Sequence, residues 1–277
     1  MFGREYASYP EVLLHSFSMM SDNYETKKVK QSKILKFLQE IYIKVFGIPE
    51  IGLQTRSLYF RQALSDLNDK KFETILDGGS GIGIYSIFLA KTFPESEILG
   101  VDLDKFNIKL SNKIKQDLEI SNLNFEYRDL TKEIGVNKCD LIVNIDVLEH
   151  ISDYETVLKN FYRLLNKGGF LYIHTPQINQ KRIFKSLEVW HHEDHAREGF
   201  SPNQLIKELR HIGFRIEEQR ETFGFFGKLA WEINHMMLSK NFILSGITYP
   251  IVYLIASLDL LTSNKRGLGI SILARKS

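Results

Sequence analysis

The sequence is poor in cysteine: Cys139 is the single one among 277 residues. That excludes an intrachain disulfide and a zinc site built on several thiolates, and it fits a reducing, cytoplasmic setting. Charge of one sign is missing too. With 36 basic against 34 acidic side chains, net +2, the chain lacks the imbalance that a nucleic-acid-binding face usually needs, so no nucleic-acid partner is expected. The first twenty residues have no continuous apolar stretch, because Arg4, Glu5, Glu11 and His15 break it. A secretory signal is therefore not expected. No internal repeat or low-complexity run is visible. What is present is an ordinary globular mixture, 43% hydrophobic and 25% charged, which argues against wholesale disorder.

Residues 26 to 46 read as an amphipathic helix. Ile34, Leu35, Leu38, Ile41, Tyr42 and Val45 recur at helical spacing, with Lys27, Lys30, Lys33 and Lys36 among them. A second helix is expected over Arg56 to Leu67. Together they define an N-terminal helical segment, 1–71, ahead of a main domain, 72–277. In that domain strands are expected at Thr74–Leu76, Ile98–Val101, Asn124–Tyr127, Leu141–Ile145 and Phe170–His174, with helices at 83–92, 105–119, 153–166 and 202–212. Apolar strands alternating with helices imply a doubly wound α/β fold with parallel pairing. Two late strands, Arg215–Thr222 and Gly269–Ala274, bring the total to seven and flank an apolar helical insertion, 226–263.

The chemistry-bearing motif runs Ile75-Leu76-Asp77-Gly78-Gly79-Ser80-Gly81-Ile82-Gly83. It follows a strand and opens a helix. Glycines allow close backbone approach, and the helix start offers free N–H groups. A dinucleotide loop would read G-x-G-x-x-G. Counting from Gly79, the sixth position is Ile84, so that pattern fails; Gly79, Gly81 and Gly83 give G-x-G-x-G behind an acid. A pyrophosphate avoids a nearby carboxylate, whereas a cationic ligand favours one. Asp102 follows about 20 residues later, where a ribose-binding acid belongs. Asp129 and Asp146 also fall at the carboxyl ends of strands, where open α/β sheets bind ligands.

These stretches, with GVDLD at 100–104, RDL at 128–130, CDLIVNIDVLEHI at 139–151 and LLNKGGFLYIHTP at 164–176, resemble class I methyltransferases that use S-adenosylmethionine (SAM). The quinone-biosynthesis type and related small-molecule enzymes are the nearest in flavour. The resemblance implies a Rossmann-like methyltransferase fold with the last strand inserted antiparallel between the fifth and sixth. It implies that the loop of Asp77, Gly79, Gly81 and Gly83 holds the methionine part of SAM. Asp102, with Leu103, would bind the ribose; Asp129, with Leu130, the adenine. Asn144 to Asp146 would lie beside the sulfonium, and Arg56 or Arg61 would contact the carboxylate.

Methyl transfer needs a base only when the acceptor must lose a proton. A cytosine C5 enzyme needs a cysteine nucleophile, and Cys139 begins a strand at the wrong end of the sheet. The turn typical of amino-methylating nucleic-acid enzymes is replaced by Asn144-Ile145-Asp146-Val147. Small-molecule acceptors are therefore favoured. The densest polar cluster, Trp190 to Phe200, offers His192 and His195 as bases; its structural alternative is a polar loop with Ser201 capping the next helix. His150 is a third candidate. The spacing of His191 to His195 matches no compact zinc motif, so no metal is expected.

Residues 242–261 form an apolar run long enough to be a borderline membrane span. Gly246, Pro250 and Asp259 interrupt it, and the last strand must return to the same sheet. A helical hairpin is expected instead. It either caps the acceptor pocket or touches a membrane interface peripherally. The lead expectation is O-methylation of a small or lipid-linked hydroxylated acceptor, such as a quinone, glycolipid or polyprenyl-linked sugar. The alternatives are C- or N-methylation of a small molecule, and a non-catalytic SAM-binding partner protein. Oligomeric state is not legible.

Overall fold

The computed structural model describes residues 51–67, 69–135, 138–187, 196–240, 242–262 and 264–277. Seven strands, β1 (Thr74–Gly78), β2 (Glu97–Asp102), β3 (Leu123–Tyr127), β4 (Cys139–Ile145), β5 (Leu165–Pro176), β6 (Phe214–Thr222) and β7 (Gly269–Lys276), form one sheet in the order β3-β2-β1-β4-β5-β7-β6. The first five pair parallel, and β7 runs antiparallel between β5 and β6. The helices are α1 (Ile51–Ser65), α2 (Ile84–Thr92), α3 (Lys105–Asp117), α4 (Tyr154–Leu164), α5 (Pro202–Ile212), α6 (Phe225–Lys240) and α7 (Phe242–Ser257).

The inner strands read as nearly continuous apolar runs because helices cover both faces of the sheet, whereas the edge strands β3 and β6 mix buried and exposed positions. Ile75, Leu141, Val143 and Tyr172 pack on one side with α2 and α3; Leu76, Ile142, Leu171 and Ile173 pack on the other with α4 and α5. Local chemistry sets the helix starts. Asp104 and Asp153 accept N-cap hydrogen bonds from Phe106 and Thr156. Ser201 stands at the N-cap of α5, but its hydroxyl makes no capping bond; Pro202 at the first turn carries that start instead.

Helix α1 includes the five residues ahead of Arg56, where the periodicity placed its beginning, and it belongs to the core. Phe60 sits fully buried with its ring 5.1 Å from Tyr172 and 5.9 Å from Phe88. The segment placed ahead of residue 72 thus packs with the domain that follows it. Its first residue, Ile51, is buried against Ala230, Tyr249, Val252 and Ala256.

Helices α6 and α7 form the expected hairpin. Leu244–Leu261 has the length and composition of a span, but Asp259 fixes it to the domain. Its carboxylate is fully buried and accepts from the Tyr59 hydroxyl (2.6 Å) and from the N–H groups of Gly224 and Gly227 (2.9 Å each). An acid at the start of α6 also complements that helix dipole. The charge that interrupts the apolar run in sequence is the hairpin's anchor in space.

Candidate active site

β1 runs into the turn Gly79–Gly83, which opens α2. Gly79, Gly81 and Gly83 have φ of 84°, 53° and 86°, a region that costs other residues about 1–2 kcal/mol. Two of the three are also closed in by neighbours. A Cβ on Gly79 would lie 2.3 Å from Val147, and one on Gly83 would lie 2.4 Å from Phe125. A Cβ on Gly81 would meet nothing within 4 Å. The turn is clamped at its ends and open at its middle.

Asp102 ends β2 beside that opening. Its Oδ2 accepts from the Gly81 N–H and its Oδ1 from the Asp104 N–H, each at 2.8 Å. The Asn107 amide lies 3.4 Å from Oδ1 as a further, long donor, so the carboxylate is fixed and Oδ2 keeps a lone pair for a hydroxyl. Around it Leu103 and Tyr127 leave large apolar side chains half exposed, a rim that a flat heterocycle would cover.

The other predicted acids differ from Asp102. Asp77 is buried and takes the Ser86 hydroxyl at 2.5 Å. Burial pushes its carboxyl up to about 7 against that hydrogen bond, and Asp102 adds to the push. It braces the turn against α2. Asp129 receives the N–H and hydroxyl of Thr131 at 3.0 and 2.7 Å, which hold it below the usual carboxylate range. Leu130 is buried in the core, and Asn144 ties β4 to the root of the turn by donating to the Gly78 carbonyl at 2.7 Å.

Asp146 follows β4 with φ of 52°. Strain of this kind in a non-glycine residue clusters at functional sites. Its Oδ2 pairs with Arg56 at 2.9 Å and its Oδ1 lies 2.6 Å from His174 Nδ1. The far nitrogen of His174 meets the Thr222 hydroxyl at 2.9 Å. Glu149 is buried nearby and accepts from Thr175 at 3.0 Å; burial, then the charge of Asp146, push its carboxyl up to about 8. Arg56, Asp146, His150, His174, Arg182 and Trp231 line one cleft of about 260 Å³. Val147, the residue after Asp146, lies against Gly79 and so links this end of β4 to the glycine turn.

Arg56 and His150 therefore reach the site. His192 and His195 lie outside the described residues. From the same polar cluster Arg197 is described. It donates to the carbonyls of Leu148, Ile151 and Ser152 and lies 4.2 Å over the Tyr154 ring, which secures the turn Leu148–His150. Among the described residues no group of acids, histidines or cysteines is arranged to hold a metal. His174, Glu149, Thr222, Arg182 and Trp231 escaped the sequence reading. His174 carried one signal: a histidine inside an apolar strand, at its carboxyl end, opposite Ile145 in register.

A family model described as a methyltransferase domain matches residues 54–219. The chain belongs to that family. The match takes in α1 and runs through the sheet into β6, while the α6–α7 hairpin lies beyond it. This methyltransferase is 32% identical over 186 residues to the ubiquinone biosynthesis O-methyltransferase of Cereibacter sphaeroides, covering 62% of this chain and 72% of that one. It is also 32% identical over 155 residues to phosphoethanolamine N-methyltransferase 3 of Arabidopsis thaliana, covering 55% of this chain and 29% of the other. The chain thus spans under a third of that second relative. Phosphoethanolamine N-methyltransferase 2 of Haemonchus contortus, solved with S-adenosylmethionine, shares the fold at a TM-score of 0.56 and 19% identity, over 78% of this chain and 52% of that one.

Proposed function

We propose that this methyltransferase transfers the methyl group of SAM to a hydroxyl of a small or lipid-linked acceptor, with a quinol or a sugar-bearing lipid as the class. Membership of the methyltransferase-domain family carries the reaction type and the cofactor. One observation carries the rest: the end of β4 that puts Asp146 in a cleft of about 260 Å³ walled by ionisable side chains also puts Val147 against Gly79 of the glycine turn, whose middle is open at Gly81 beside Asp102. Two compartments so linked suit two reactants.

The residues present fit the cofactor. Asp102 offers a fixed acceptor for a hydroxyl, Leu103 and Tyr127 offer an apolar rim, and Gly81 leaves room for backbone contact. Bound there, SAM supplies a methyl carbon made electrophilic by a sulfonium. On the acceptor side, Asp146 and Thr222 fix the His174 ring, and Arg56 is held by Asp146. Phe223, beside the His174 ring, and Trp231 add aromatic lining to the same cleft. His150, exposed on the cleft wall, is the group assigned to take the hydroxyl proton as the oxygen–carbon bond forms, since imidazole serves as a base near neutral pH. Positioning and exclusion of water supply the remainder. The single buried thiol, Cys139, is in keeping with a reducing cytoplasm.

The test is transfer of label from methyl-labelled SAM to a panel holding a quinol, a simple phenol and a glycolipid. Label should appear on oxygen. His150→Ala should slow turnover by about 10² or more and leave S-adenosylhomocysteine (SAH) binding intact. Label on nitrogen or carbon, or full activity in His150→Ala, would replace the oxygen-acceptor reading.

A further inference from the structure

The α6–α7 hairpin presents an apolar face that nothing in the described fold covers. Leu244, Ile247, Ile251, Leu254, Leu258 and Leu261 recur every three or four residues along α7 and the 3-10 turn after it, and all are exposed; Ile247, Leu254 and Leu261 are 69%, 66% and 81% so. That spacing puts them on one side of the helix. Phe225 adds a further exposed ring at the start of α6, where Gly224 and Gly227 bind Asp259 and so hold it near the end of the stripe. At a helical rise of 1.5 Å per residue the stripe runs roughly 25 Å. Contiguous patches of this size mark interaction sites.

Charge decides the partner. Between Phe225 and Gly267 the two carboxylates, Glu232 and Asp259, are both fully buried. Glu232 is turned onto the N–H groups of Ile183 and Phe184, and Asp259 onto Tyr59 and the start of α6. The neighbouring Glu221 accepts from the Gly267 N–H. The exposed charges of the segment among the described residues are Lys265 and Arg266. In sequence, the chain ahead of the described fold carries the lysine run Lys27, Lys28, Lys30, Lys33 and Lys36, with no acid between 26 and 39. The chain enters the described fold at Ile51, which is buried against α6 and α7. An apolar stripe edged by cations and free of exposed acids fits an anionic lipid surface.

We propose that the stripe 244–261, with Phe225, lies flat on an anionic bilayer. The opposite face of α7 is committed to the protein through Tyr249, Val252 and Ala256, so the helix rests in the interface and does not cross. Trp231 of α6 lines the acceptor cleft, so this docking brings lipid to the element that walls it. The surface stands independently of the acceptor assignment.

Flotation of the full chain with vesicles tests it. Wild type should rise with phosphatidylcholine–phosphatidylglycerol vesicles and less with phosphatidylcholine alone. Ile247→Glu with Leu254→Glu should cut the floated fraction by roughly tenfold, with unchanged circular dichroism and unchanged SAH binding. Lys265→Glu with Arg266→Glu should erase the preference for the anionic vesicles. A wild type that stays at the bottom overturns the proposal, whether a second copy or the chain's own residues 1–50 cover the stripe. So does flotation that the double glutamate variant leaves intact.

Discussion

The glycine turn and the α6–α7 hairpin solve the same problem, fixing a backbone beside a ligand site, in opposite ways. The turn uses left-handed glycines wedged against Val147 and Phe125, and its one carboxylate at the opening, Asp102, is bonded to adjacent backbone. The hairpin uses a buried acid and partners far away in sequence: Tyr59 lies 200 residues from Asp259, and Ile51 donates to Asn234 across 183. The turn rests on backbone geometry and steric contact; the hairpin rests on a buried charge and on partners still farther away in sequence. Substitutions should therefore fail differently in the two.

The largest effect is expected at Gly83→Ala, which meets both an unfavourable φ and the Phe125 ring. A loss of about 3 kcal/mol or more is expected by chemical denaturation. Asp259→Ala removes the acceptor of Tyr59 on α1 and of Gly224 and Gly227 at the start of α6, and a loss of about 2–4 kcal/mol should appear as a lowered Tm. SAH affinity, measured below the transition, should stay within twofold of wild type. If Asp259→Ala abolished cofactor binding, the two regions would not be separate.

Glu149 sharpens the contrast through pH. Its folded carboxyl titrates at about 8 against an ordinary value of 4.5. Below 4.5 both states are protonated and the neutral group's contribution is fully present. Between 4.5 and about 8 the unfolded chain releases the proton and the folded one retains it, so stability falls as pH rises. Asp77 adds the same trend between 3.8 and about 7. Glu149→Gln should flatten the decline and, above pH 8, gain on the order of 1–2 kcal/mol. A denaturation series across pH checks it; an unchanged slope would contradict the burial argument. The smallest effect is expected for Tyr59→Phe, which removes one hydrogen bond to Asp259 and should cost about 1 kcal/mol.

Sequence made the turn readable and left the hairpin's anchoring dark. The inner strands appeared within a few residues of their bounds because burial on both faces writes them as apolar runs. The glycine turn and Asp102 stood in two short motifs. Helix α1 was only half legible: it buries Gln54, Thr55 and Ser57 alongside Tyr59 and Phe60, which blurs its amphipathic pattern. The trio of Asp146, His174 and Thr222 joins three strands over 28 and 48 residues of separation. No spacing rule reports such a contact. Asp259 was read as a flaw in an apolar run because its partners lie on α1 and at the start of α6.

Titration calorimetry of SAH into the wild type, Asp102→Ala and Gly81→Ala addresses the account most directly. The wild type should bind. Asp102→Ala should weaken binding at least tenfold, about 1.4 kcal/mol, by removing the fixed acceptor. Gly81→Ala should do so by filling the one open position of the turn, while costing only about 1–2 kcal/mol of stability. Equal affinity in all three, or a wild type that ignores SAH and takes up a nicotinamide nucleotide, would contradict it.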